Sequence, residues 1–473
     1  MNTSGTIANK ALLVLTVLGG VTLMLAAIFL ELLPIAGVVA LFPFLLIGVG
    51  LVFQKPKLAF PAMLVLAFTA SGLKKYAPSV PMGLTLDGIL ALTLLAIWFH
   101  KREGWQKDVP GRALMLATWV WMLYTLMQIV NPEAHSFTAW FYAVRGVSLY
   151  PILTFAVALA LLKEPKDMMQ LVHTAFALSV LGTLWGMKQL YIGLDGAEWA
   201  WLRAGNESTH ILHGQLRVFS FYSDAGQFGA SQAHVAVIAG ILAIGPFSWK
   251  RRMLYAAVAA VTLYGMLISG TRGALAVPAA GGMAFLLLTR NTKLFMAGMV
   301  MGIAVFCGLK YTYIGQGVPQ ISRMRTALDP EDPSFQTRLE NQRSLASYLA
   351  SRPIGGGVGT AGFWGLRFSP NTFLAQTPTD SWYVKIWAET GWVGLTLYFG
   401  WIGFMLGWGG FVLWQTPRGP TRQFLLALYC GMVGILLASY GNGVLGAPPT
   451  GPLIYLTFSF LFINARWQKN PQI

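Results

Sequence analysis

Arginine is the residue whose placement in this sequence most invites chemistry. Arg145 sits in Trp140-Phe-Tyr-Ala-Val-Arg145-Gly-Val, Arg217 in Leu216-Arg-Val-Phe-Ser-Phe-Tyr-Ser-Asp224, and Arg272 in Ser269-Gly-Thr-Arg-Gly273. Each lies at the end of an apolar run, and loop charge puts all three ends on the outer side of a membrane. Arg323, Arg325, Arg338, Arg343, Arg352 and Arg367 follow in the longest polar insertion. A guanidinium fork binds two phosphate oxygens at once and keeps its proton. A cluster of such forks at the outer membrane edge suits a lipid-linked pyrophosphate. Arginines near span ends also reach for headgroups, and Arg338 and Arg343 also suit a solvated helix surface. Arg272, wedged between glycines in a tight hairpin, fits those alternatives least.

Acids are scarce, and those near the outer face are Glu31, Asp87, Asp224, Asp380 and Glu389. Asp380 lies in Gln376-Thr-Pro-Thr-Asp-Ser-Trp-Tyr-Val-Lys385, where the insertion re-enters the membrane. A carboxylate there could take the proton of an attacking hydroxyl. It could equally cap the helix that follows, since aspartate is a favoured N-cap. Glu389 is about 14 Å further along a helix and on the opposite face, so the two should form no dyad. His210 and His213 have no further ligands nearby, so a metal site is not expected. Asp329-Pro-Glu-Asp332 reads as loop charge in water rather than a cation site. No P-loop, Gly-x-Ser-x-Gly elbow or His-Glu-x-x-His helix is present.

These residues must be positioned by membrane helices. Hydrophobic residues make up 55% of the 473-residue chain and charged residues only 11%, against about 25% charge in a soluble protein. Such a chain could not clothe a soluble surface. That excludes a water-soluble enzyme, a disordered protein and a nucleic-acid-binding domain. The net charge of +16 then reflects basic cytoplasmic loops, not nucleic acid. Cys307 and Cys430 both fall in apolar runs, which suits packing and neither a disulfide framework nor a zinc site. A crossing helix needs about 20 apolar residues. About fourteen segments qualify: 11–31, 35–53, 58–73, 84–100, 112–130, 138–162, 168–192, 225–245, 253–270, 273–289, 294–311, 381–414, 423–441 and 450–465. The first has no clear cleavage site and reads as a retained helix rather than a signal peptide.

With both ends in the cytoplasm, the inside loops carry eighteen basic residues against four acids. Every cytoplasmic loop then has a basic residue, as the positive-inside rule requires. The expected fold is all-α: a polytopic integral membrane protein, one unit over 1–473, with outer segments at 193–224 and 312–380. The larger segment should hold a surface helix capped by Asp332, with Pro333 at its first position and Pro353 stopping it. Gly355, Gly356, Gly357 and Gly359 should then form a flexible turn.

Three stretches together resemble the bacterial O-antigen ligase and polysaccharide polymerase superfamily. Ser269-Gly-Thr-Arg-Gly-Ala274 is similar to its arginine hairpin. Pro353-Ile-Gly-Gly-Gly-Val-Gly359 resembles the glycine turn after the surface helix of its large periplasmic loop. Thr379-Asp-Ser-Trp-Tyr-Val-Lys-Ile-Trp-Ala-Glu-Thr-Gly-Trp-Val-Gly394 resembles its return into the membrane. Arg217 before an outer-facing span is similar to a further family arginine. The likeness covers roughly 210–410; the first 200 residues match in hydropathy only.

The resemblance implies a bacterial inner-membrane enzyme with about fourteen transmembrane helices, a large helical periplasmic loop and both termini cytoplasmic. It implies metal-independent, cofactor-free glycosyl transfer from an undecaprenyl pyrophosphate-linked oligosaccharide to a glycan acceptor, with inversion. Arg217 and Arg272, with Arg145, would hold the pyrophosphate, and a base at Asp380 would activate the acceptor hydroxyl. The partners implied are the lipid bilayer, donor and acceptor, with room for other polysaccharide-export proteins and none for nucleic acid. Ligases to the lipid A core resemble one another in a histidine at the membrane re-entry, and Pro378-Thr-Asp380 stands there instead. That favours a polymerase of O-antigen, capsule or exopolysaccharide over a ligase. From another class, a polysaccharide flippase or solute transporter would place ionisable groups at mid-membrane, whereas charge here gathers at the outer edge.

Overall fold

A computed structural model of the chain describes residues 46–469, apart from 81, 100–108, 213, 290, 314, 316, 318, 327, 328 and 330. The expected spans 11–31 and most of 35–53 lie outside these residues, as does His213. Every expected span from 58–73 onward is a helix. An apolar segment in lipid has no water to bond its peptide groups, so it must satisfy them along its own axis. Thirteen helices carry the argument. They are α1 (Pro56–Tyr76), α2 (Gly83–Phe99), α3 (Val109–Val130), α4 (Phe137–Leu161), α5 (Pro165–Tyr191), α6 (Ala225–Ala243) and α7 (Trp249–Ile268), followed by α8 (Ala276–Thr289), α9 (Thr292–Tyr311), α10 (Pro333–Leu349), α11 (Trp382–Gln415), α12 (Pro420–Ala438) and α13 (Thr450–Lys469). Nine helices among the described residues are long and apolar enough to cross a bilayer. The protein is an all-α, multi-pass membrane protein.

Two compact units make up the described chain, residues 46–59 with 91–99, and residues 60–90 with 109–469. In the first, the rings of Phe53 and Phe99 pack 5.8 Å apart. The second holds all the functional candidates. Its centre is α6, which packs on α5, α7, α8 and α12. Gln227, Ser231, Gln232 and His234 on this helix are fully enclosed. They are tolerated because some find partners inside the protein: Gln232 Nε2 donates to Ser179 O and to the Tyr222 hydroxyl, both at 3.1 Å. Helix α9 is the opposite case. None of its residues is buried, and its uniformly apolar surface suits lipid.

The insertion between α9 and α11 forms as its caps dictate. Asp332 accepts from Phe335 N, Pro333 takes the first position, and α10 ends at Leu349. The glycine turn that follows differs from expectation. It is packed rather than flexible, with residues 355–361 all buried. The peptide nitrogens of Gly356 and Gly357 donate to Ala388 O and Glu389 O of α11 at 3.0 and 2.8 Å. Helix α11 breaks its regular course at Gly391 (φ +66°) to receive the turn. A β-carbon on Gly355 would lie 2.4 Å from Gly391 N, so backbone meets backbone with no room for a side chain. Just past the end of α3, Asn131 Nδ2 donates to Gly355 O at 3.1 Å. The insertion is thereby anchored where it re-enters the helices.

Candidate functional site

The site is built on the hairpin between α7 and α8. Ser269 Oγ accepts from Thr271 N at 3.1 Å, and the Thr271 hydroxyl donates to Ala225 O at 2.8 Å. Those bonds lock the hairpin to the start of α6. Asp224 caps that helix by accepting from Gln227 N at 2.9 Å. The segment before it is held too: Arg217 N donates to His210 O at 2.7 Å, and Val218 N to Ile268 O at 3.4 Å. His210 is a structural clip. Its Nε2 accepts from Ala225 N at 3.3 Å, which leaves Nδ1 to donate to Asn206 O at 2.9 Å. Burial lowers its pKa and keeps it neutral.

Arg217 and Arg272 converge on this hairpin. Arg217 Nη2 donates to the Thr271 hydroxyl at 3.2 Å and Nη1 to Thr209 O at 2.8 Å, while its buried Nε has no partner. Arg272 donates to the Thr326 hydroxyl at 3.1 Å and forms an ion pair with Asp332. A third arginine joins them. Arg323, from the short helix Pro319–Arg325, passes its Cδ 3.2 Å from the position a β-carbon would take on Gly270, with Arg217 Cγ 3.8 Å from the same point. Its buried Nε is also without a partner. Burial, and then the Arg217 and Arg272 guanidinium groups, pull the Arg323 pKa down to about 10. Burial, and then Arg272, lower that of Arg217, against the pull of Asp224. Like charges are held together here with too little counter-charge, which is the condition for binding an anion. Arg272 holds the Asp332 carboxyl below its ordinary range.

Arg145 is elsewhere. It sits in a π-helical turn of α4, Arg145–Leu149, and its Nη1 bonds Asp87 Oδ2 at 2.8 Å. Asp380 is reached from the hairpin through a short relay. Gly273 faces Asn442, whose Nδ2 would be 2.5 Å from a β-carbon there. The next residue back, Gly441, faces Arg338 Nη1 at 4.0 Å from its would-be β-carbon. Arg338 Nε in turn donates to Asp380 Oδ2 at 3.0 Å. Asp380 is not the cap of α11. Ser381 takes that place, accepting from Val384 N. The carboxylate is half exposed and bonded through one oxygen. Glu389 is fully buried in α11, with Lys385 Nζ at 3.9 Å, and forms no dyad with Asp380.

The hairpin, α10, the glycine turn and the return into α11 thus lie in one continuous stretch of the chain. Residues 257–399 match the family model of O-antigen ligase. The resemblance to O-antigen ligases and polysaccharide polymerases read from the motifs is borne out over these residues. A comparison with curated proteins gives no match. The matched segment includes Arg272, Arg323, Asp332, Arg338 and Asp380, and leaves Arg145, Arg217, Asp224 and Asn442 outside. Arg323, Asp332 as an arginine partner, and Asn442 were not marked by the sequence. Arg323 was one of several arginines in the insertion, with nothing in its spacing to single it out. Asn442 sits in a polar loop between α12 and α13, where only the fold reveals what it faces.

Proposed function

We propose that this protein elongates a glycan carried on undecaprenyl pyrophosphate, at the periplasmic face of a bacterial inner membrane, as an O-antigen or exopolysaccharide polymerase. The observation that supports this best is the convergence of Arg217, Arg272 and Arg323 on one hairpin with two buried guanidinium nitrogens lacking partners. Three forks offer more donors than the surrounding protein uses, and a pyrophosphate has the oxygens to take them. The acceptor hydroxyl attacks the anomeric carbon from the side opposite the pyrophosphate. The new carbon–oxygen bond forms as the bond to pyrophosphate breaks, and the hydroxyl proton passes to Asp380. Undecaprenyl pyrophosphate leaves carrying its charge into the arginine cluster. That cluster supplies the stabilisation for the leaving group, so neither a metal nor a strong general acid is assigned a role. Arg145, paired with Asp87 and lining another cavity, is not assigned to this grip. The absence of a histidine between 376 and 389 favours polymerisation over transfer to a lipid A core.

The test is an assay on purified protein with a lipid pyrophosphate-linked oligosaccharide, following chain growth and released lipid pyrophosphate. Wild type should lengthen the glycan. Asp380→Asn should insert normally and lose about 10²–10⁴-fold in rate, the usual worth of a general base. Ser381 caps α11, so the substitution leaves the helix start intact. Normal rates in the Asn variant would remove Asp380 from the mechanism, and growth only on lipid A core would make the protein a ligase.

A further inference from the structure

A second cavity, of about 430 Å³, opens beside the π-helical turn of α4, within the size range of small-molecule sites. Its lining includes Lys74, Arg145, Arg367 and Lys385 and not one carboxylate. Arg145 is neutralised by Asp87, which bonds it without itself lining the cavity. Of the other three, two have no ion-pair partner among the described residues and one has a carboxylate only at the far end of ion-pair distance. These are Lys74 and Arg367, whose guanidinium lies over the Phe368 ring at 5.4 Å, and Lys385, whose Nζ is 3.9 Å from Glu389. The cavity is therefore built for an anion. It is not built for a bare phosphate, because Tyr142, Trp364 and Trp382 line it too. Tyr142 and Trp364 stack with centroids 4.6 Å apart and planes 12° apart. The aromatic side chains give the cavity apolar surface beside its charge, which suits a ligand with both a charged group and an apolar face.

Its location adds a third argument. Trp382 follows Asp380 by two residues. Gly446 packs on the Trp382 ring, which would lie 1.9 Å from a β-carbon there, and Gly446 O lies 2.7 Å from the position a β-carbon would take on Gly146 of the π-helical turn. The same loop presents Asn442 to Gly273 of the arginine hairpin. One loop between α12 and α13 thus touches both places, with Asp380 tied by Arg338 to the first and by chain to the second.

We propose that this cavity is the acceptor subsite and that it selects an acidic glycan, one bearing a carboxylate on or next to the sugar that is attacked. This rests on the transferase reading above. Arg367 and Lys385 hold the carboxylate, Trp364 and Trp382 the ring, and the acceptor hydroxyl is delivered towards Asp380 while the donor pyrophosphate sits at Arg217, Arg272 and Arg323.

The test uses the full-length protein in detergent and isothermal calorimetry, with tri-galacturonate as the acidic probe and maltotriose as the neutral one. Tri-galacturonate should bind at least about tenfold more tightly, and roughly 0.5 M salt should weaken it. Arg367→Ala and Trp364→Ala should each cost it about tenfold. Arg272→Lys should leave this binding unchanged while abolishing chain growth. Equal affinity for the two sugars, or full affinity in both cavity variants, would overturn the proposal. So would displacement of tri-galacturonate by glycerol phosphate or inorganic pyrophosphate at equal concentration, which would make the cavity a headgroup or phosphate site. Failure of wild type to lengthen a lipid-linked glycan would count against the transferase reading alone, because the binding arms read the cavity directly.

Discussion

Two cationic regions of this protein invite the same first description and behave differently. At Lys188, one ammonium meets two carboxylates, Asp195 at 3.1 Å and Glu198 at 2.9 Å. Gln189 Nε2 and Trp185 Nε1 also donate to Glu198, at 2.7 and 2.9 Å, and Tyr76 donates to Asp195 at 2.6 Å. Every group there has its partner. At the 269–273 hairpin, three guanidinium groups share one paired carboxylate, Asp332, and two of their nitrogens have no partner. A closed network of charges holds a structure together; an open one is a request for a ligand. Counting basic residues at one end of the bundle would have treated the two alike.

The comparison makes predictions of decreasing size. Glu198 is 1% exposed, and Glu198→Ala removes at once the carboxylate shared by Lys188, Gln189 and Trp185. It should cost about 3–5 kcal/mol of stability, read as a large drop in thermal midpoint in detergent. A variant of normal stability that had lost glycan transfer would reverse the assignment of that network. A smaller effect, and one of opposite sign, is expected at Asp332. Asparagine keeps the cap of α10 and releases Arg272 from its ion pair. Asp332→Asn should therefore raise affinity for a lipid pyrophosphate, by up to about fivefold, the upper end for a solvent-screened pair. The wild-type pairing has its own pH window. It is intact above the ordinary aspartate pKa of about 3.9 and is lost only as pH falls through the lower value that Arg272 imposes. Weaker lipid binding by the Asn variant would mean that Asp332 organises the cluster rather than competing within it.

Much of the fold was legible because lipid imposes a single strong constraint. An apolar run of sufficient length has to be a helix, and residues 58–73 through 450–465 all obeyed. Arg217 and Arg272 could be singled out for a related reason: under the orientation expected from loop charge, a positive charge at the outer end of a span has to be explained. Other features depended on contacts that no local pattern encodes. The run of glycines at 355–359 reads locally as freedom, whereas its purpose is close approach to α11 at Gly391. Asp380 and Ser381 are both good caps, and only the geometry assigns the role to Ser381. Arg145 matched the other outer arginines in sequence context, yet Asp87, 58 residues earlier, takes it into a different cavity. Arg323 came to the hairpin from the insertion, by a route that spacing does not reveal.

The central claim is that Arg217 and Arg272 grip pyrophosphate through their forks. The most direct measurement is equilibrium binding of an undecaprenyl pyrophosphate-linked oligosaccharide to purified wild type, Arg217→Lys and Arg272→Lys. Lysine keeps the charge and loses the two-point contact. Each Lys variant should accumulate in the membrane at the wild-type level and bind the donor at least about tenfold more weakly, while the same oligosaccharide without its lipid pyrophosphate should bind all three proteins alike. Undiminished donor affinity in both Lys variants would contradict the account.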